Sequence, residues 1–205
     1  MEHSFLKTIV AVLAIFPAAS AAAQTFPYLD PELGIDERIN DLVPRLSLEE
    51  KAAMMQYASP AVPSLGIPAY NWWNECLHGV GRSQDKVTVF PQAIAMAAAF
   101  DGYVTSDCGA IDDFYKNHRT HPDAPSSAAD AVRHTTDLEC GVVYSSLPEA
   151  VRQGLITEEE IDESLARLLR IRFRLGNFDS EETDDDTERQ SAIIRIKGGP
   201  VVLAK

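Results

Sequence analysis

The segment that most restricts the fold begins at Thr157-Glu158-Glu159-Glu160. Thr with Glu three residues later is a capping box, in which each side chain satisfies a backbone N–H that the first helical turn leaves unpaired. Ile156 and Ile161 flank the box as a hydrophobic staple. Ile161, Leu165, Leu168, Leu169 and Leu175 then follow a 3.6-residue period, and Gly176 is a C-terminal stop. The spacing predicts a long helix with one apolar stripe. With 205 residues, 45% apolar and 24% charged, the chain is long enough for a hydrophobic core and has the composition of a globular protein. Its formal net charge of −13 argues against a nucleic-acid or anionic-membrane partner, because no basic field exists to recruit one.

Other segments read more weakly. Ile39, Leu42 and Val43 have helical spacing within Ile35 to Leu46, and Pro44 ends that pattern. Ser47-Leu48-Glu49-Glu50 is another capping box, opening a short helix through Gln56 with Leu48, Ala52 and Met55 on one side. Tyr57 to Tyr70 holds three prolines and a glycine and reads as loop or extended chain. Gly102 to Asp107 reads as a short strand ending in a polar turn, and Ala128 to Thr135 as a helix. From Asp179 to Lys205 the chain reads as an acidic, mobile tail. Its last part alternates like a strand around Ile193-Ile194 and Val201-Val202-Leu203, with no obvious partner. Residues 1–23 have the parts of a secretory signal peptide: Lys7, an apolar run from Ile9 to Phe16, and a small-residue end at Ala21-Ala22-Ala23. Export to a secreted or periplasmic location follows, with no membrane partner after cleavage. It places Cys76, Cys108 and Cys140 in an oxidising compartment, where an odd count leaves at least one thiol over.

Few residues suggest chemistry. Asp107 ends a strand, where a catalytic carboxylate or a plain turn aspartate both fit. Glu75 lies beside Trp72, Trp73 and His78, residue types that stack on and hydrogen-bond a sugar ring, although the tryptophans are equally well core aromatics. His118 and His121 flank Arg119 in a polar loop, without the Cys or carboxylate spacing of a metal site. No internal repeat, Walker loop, dinucleotide fingerprint or zinc spacing occurs, so no cofactor or metal is expected.

Five stretches together carry a family resemblance. Tyr70 to Gly79, YNWWNECLHG, and Thr88 to Ile94, TVFPQAI, resemble the amino-terminal part of glycoside hydrolase family 3 β-xylosidases and β-glucosidases. Gly102 to Ile111, GYVTSDCGAI, resembles that family's nucleophile strand, and Thr136 to Gly141 with Leu155 to Phe178 resemble the family's segments after that strand. The resemblance implies an α/β fold, a partial (β/α)8 TIM-barrel-like domain over residues 24–178. It implies that Asp107 is the nucleophile of a retaining exo-acting β-glycosidase, with Glu75, Trp72, Trp73 and His78 binding the sugar. Cys108 and Cys140 would form a disulfide beside it, leaving Cys76 free. The substrate would be an oligosaccharide or aryl glycoside, with xylose favoured over glucose by the WWNE block and the cysteine pair.

The chain departs from the family at Phe100-Asp101-Gly102, where two Phe-Asp elements are fused as if the segment between them had been removed. The family's Lys-His pair and substrate-clamping arginine belong in that segment. Its general acid/base belongs to a following domain without a counterpart here. A complete barrel needs ~250 residues, and an open one exposes strand edges that invite self-association. The alternative to an active enzyme is an inactive remnant or weak carbohydrate-binding protein. A third reading is an unrelated acidic secreted protein.

Overall fold

The computed structural model describes residues 26–73 and 102–179, and the backbone of 192–195 and 201–204. The signal segment, Glu75, Cys76, His78, the TVFPQAI stretch and Phe100-Asp101 of the junction lie outside the described residues. So does the acidic run Ser180 to Asp186.

Helix α1 (Ile35–Leu42) passes into a 3-10 turn at Val43–Arg45, where the fixed φ of Pro44 suits a helical first turn. Helix α2 (Leu48–Met54) starts at the Ser47 capping box: Ser47 Oγ accepts Glu50 N–H at 3.2 Å and Glu50 returns the bond to Ser47 N–H at 2.8 Å. A hairpin follows, strand β1 (Ala58–Ser59) pairing antiparallel with β2 (Tyr70–Asn71). Beyond residue 102 come α3 (Ala110–Lys116), α4 (Ala124–Arg133), α5 (Leu147–Arg152) and α6 (Glu158–Arg174). Helix α4 begins four residues before Ala128 because Asp123 caps Ser126 N–H and Pro125 suits the first turn. The Thr157 box opens α6 as its spacing predicts, and Gly176 stands beyond its end at φ 68°.

Strands β3 (Ala192–Arg195) and β4 (Val201–Ala204) correct the reading of an unpartnered strand at the chain end. They pair with each other, Ile193 opposite Leu203.

The apolar stripe of α6 sets the core. Ile161, Leu165, Leu168 and Leu169 are all buried, and the helix lies against α1, α2 and α4. Behind it, α4 packs on α3 and α5. On the other side of this helical layer three extended segments run parallel. Residues 138–140 lie in the middle, bridged to Gln56 through Glu139 and to Thr105 through Leu138. Parallel neighbours require a long crossover. Here α3 and α4 supply it between 105 and 138.

Among the described residues no helix is long and apolar enough to cross a membrane.

Candidate active site

Asp107 sits just past the C-terminal end of the 104–106 segment. Three backbone links place that segment: Leu138 N–H to Val104 O at 3.0 Å, Asp137 N–H to Val104 O at 2.8 Å, and Ser106 N–H to Leu138 O at 2.9 Å. The turn itself is held by Gly109, whose φ of 77° favours glycine, with its N–H on Cys140 O at 2.9 Å. Cys140 N–H donates in turn to Ser106 Oγ at 3.0 Å. Cys108 and Cys140 are joined by a disulfide, the pairing that the resemblance implies. The Asp107 side chain is exposed. Its Oδ1 accepts Cys108 N–H at 2.8 Å, and among the described residues no cation pairs with it. A solvent-facing carboxylate on a tethered turn is available to a ligand.

The two tryptophans separate. Trp72 is buried, its ring meets Tyr70 at 4.8 Å and Tyr103 at 5.0 Å, and its indole N–H donates to Ser59 Oγ at 3.0 Å. That indole uses its polar group inside the core. Trp73 follows directly and is 49% exposed, the more exposed of the two. Glu75 and His78, the other two residues expected to bind sugar, lie outside the described residues. In the loop after α3, His121 stacks on Phe114 at 5.3 Å, and its Nε2 is 3.3 Å from Asp130.

Two carboxylates to which the sequence pattern assigns no role stand behind the site. Asp137, 1% exposed, accepts from Val104 N–H at 3.0 Å, Ser164 Oγ at 2.7 Å and Arg167 Nε at 2.8 Å. It ties the segment leading to Asp107 to helix α6. Glu139, also 1% exposed, accepts Val143 N–H at 2.8 Å and Tyr144 N–H at 2.6 Å. Burial pushes its carboxyl above the ordinary value, against the two N–H bonds that favour the charge. The clue was present in Thr136-Asp137-Leu138-Glu139-Cys140: acids alternating with apolar residues inside an extended stretch, on a strand's period of two.

No protein-family model matches the chain. Individual proteins do. A xylan 1,4-β-xylosidase of Xylanibacter ruminicola is 26% identical over 336 aligned positions, covering 82% of this chain and 39% of the relative. A probable exo-1,4-β-xylosidase of Aspergillus terreus is 47% identical over 78 residues, covering 38% of this chain and 10% of its own length. A solved family 3 exo-β-xylosidase, in complex with a xylobiose aziridine activity-based probe, superposes with a TM-score of 0.65 at 14% identity, over 80% of this chain and 43% of that one. The chain therefore spans less than half the length of these proteins. The first alignment also runs over 336 positions against a chain of 205 residues, so a long stretch of that relative faces no residue here. Fold and sequence together resemble those of glycoside hydrolases. More particularly, the chain is similar to glycoside hydrolase family 3 proteins of the β-xylosidase type.

Proposed function

We propose that this chain carries the nucleophile half of a retaining exo-acting β-xylosidase on a partial (β/α)8 barrel. The observation that carries the reading is Asp107, exposed at the C-terminal end of a parallel segment and tethered by the Cys108–Cys140 disulfide. Barrel enzymes present catalytic groups at that end. The order of the three parallel segments supports the barrel: the first in sequence, at 55–57, lies beside the last, at 138–140, as when a ring of strands closes.

A carboxylate oxygen of Asp107 attacks the anomeric carbon, and the bond to the leaving oxygen breaks as that oxygen takes the electron pair. Water then releases the sugar with net retention. A natural alcohol leaving group needs a proton from a second carboxyl group about 5–5.5 Å away. The resemblance places the family's Lys-His pair and substrate-clamping arginine in the segment missing at Phe100-Asp101-Gly102, so these 205 residues are expected to turn over natural xylosides at background.

The test uses a leaving group that needs no proton. After incubation with 2,4-dinitrophenyl 2-deoxy-2-fluoro-β-xyloside, intact mass should show one glycosyl adduct, peptide mapping should place it on Asp107, and Asp107→Asn should abolish it. Xylobiose hydrolysis should stay at background in both proteins. A folded sample that forms no adduct sinks the nucleophile reading. A second reading is a weak carbohydrate-binding protein, which calorimetry with xylose and glucose would then test.

A further inference from the structure

We propose that Glu139 is the positioning residue of the Asp107 turn, an inference that rests on the nucleophile reading above. Its main chain lies at the centre of the parallel group, its N–H on Met55 O at 2.9 Å and its C=O accepting Tyr57 N–H at 2.8 Å. Its side chain then folds over the next turn and gathers the N–H groups of Val143 and Tyr144, both buried. Cys140 is thereby fixed on both sides, by the 139 strand position before it and by the clamped 141–144 turn after it.

Cys140 in turn holds the nucleophile turn by three independent links: the disulfide to Cys108, its C=O to Gly109 N–H, and its N–H to Ser106 Oγ. Asp107 lies between these attachment points. The carboxylate fits only because residue 141 is glycine, since a Cβ there would stand 2.5 Å from Glu139 Oε1. Glu139 does not reach the reacting atoms. It sets where Cys140 stands, and Cys140 sets where Asp107 stands.

Glu139→Gln replaces one acceptor oxygen with an NH2 group that meets an N–H donor, so one of the two clamp bonds is lost. Gly141→Ala displaces the carboxylate without removing it. Two readouts follow. The first is the equilibrium of the Cys108–Cys140 disulfide with two glutathione thiols, giving the protein dithiol and glutathione disulfide, read by differential alkylation and peptide mapping. Both variants should favour the dithiol about tenfold more than the wild type, because the clamp no longer presents one sulfur to the other. The second is labelling of Asp107 by the fluoro-xyloside: the inactivation rate constant should fall about tenfold at an unchanged half-saturating concentration.

If both variants lose thermal stability yet keep the wild-type glutathione equilibrium, Glu139 is only a structural residue and the proposal is overturned. If the wild type takes no label, the nucleophile reading fails. The glutathione equilibrium still decides whether Glu139 places Cys140.

Discussion

The helical layer and the parallel segments in front of it handle charge in opposite ways. In the helical layer Lys51 and Arg38 are enclosed with acids, and Arg172 with a carbonyl and two rings. Lys51, 3% exposed, lies 2.6 Å from both Glu158 and Asp162 on α6. Arg38 reaches Tyr28 O at 2.7 Å and Asp179 at 2.8 Å, with Phe173 under its guanidinium. Arg172 donates to Pro68 O at 2.9 Å between the rings of Tyr70 and Phe178. At the ends of the parallel segments Asp107 faces solvent, with Val104 at 49% exposure on the same segment. An isolated buried charge costs far more than a chain of this size can spare, so the first pattern marks a packed wall. The second marks a face left for something else. In the proposed barrel that face is the inside.

Asp137 joins the two regions, and removing it should break the contrast most strongly. Asp137→Ala leaves the Ser164 hydroxyl, the Arg167 guanidinium and Val104 N–H without their acceptor, for a loss of about 3 kcal/mol. Urea unfolding followed by tryptophan fluorescence measures it. A loss under ~1 kcal/mol would mean that the Asp107 segment and α6 are not coupled through this carboxylate.

One strained backbone position lies where α4 gives way to the parallel segments. Thr135 turns the chain from α4 into the 137–140 segment at φ 69°, a conformation that a β-branched residue adopts only under constraint. Its N–H still bonds Val132 O at 2.9 Å, as in a helix C-terminal turn that glycine favours. Thr135→Gly should therefore stabilise the chain by about 1 kcal/mol, in the same unfolding experiment. Destabilisation would place the threonine methyl among contacts the turn needs.

Acid titration distinguishes the regions by sign. On the helical side Glu160 is held down to about 2 by the Arg133 guanidinium and by Thr157 N–H. Its folded value lies below the ordinary 4.5, so its contribution is present above 4.5 and lost as pH falls toward 2. Glu139 is raised by burial, so the folded state holds its proton more tightly than the unfolded chain does. Stability from that group falls as pH rises above 4.5. Against Glu160→Gln, the wild type should lose its advantage on acidification. Against Glu139→Gln it should lose advantage as pH increases. Thermal melts across this range that gave the same sign for both variants would remove the distinction.

How much the sequence reveals depends on the range of the interactions. The capping boxes at Ser47 and Thr157 are local and appear in the fold as their spacing predicts. The short helices α3 and α5 carry no such box, and no apolar period announces them. Parallel pairing of Gln56 with Glu139 and of Thr105 with Leu138 joins residues 83 and 33 positions apart, which no local pattern encodes. Alternation with apolar residues hints that Asp137 and Glu139 are buried but not what they do, since a buried acid's role is set by its donors, which for Asp137 come from elsewhere in the chain. Asp107 is legible through the motif around it, whereas neither composition nor period reveals its exposure.

Trp73 gives the smallest effect on stability, and with Trp72 it divides the two regions within one dipeptide. Trp72 belongs to the wall: its ring packs on Tyr70 and Tyr103, and its N–H is used by Ser59. Trp73 is 49% exposed. Surface substitutions away from buried features usually change stability by no more than about 0.5 kcal/mol, and Trp73→Ala should fall in that range. If its ring stacks on the sugar, the half-saturating concentration of the fluoro-xyloside should rise several-fold while the unfolding midpoint stays put. A fall in midpoint with unchanged labelling would assign Trp73 to the wall as well, and the open face would then rest on Asp107 alone.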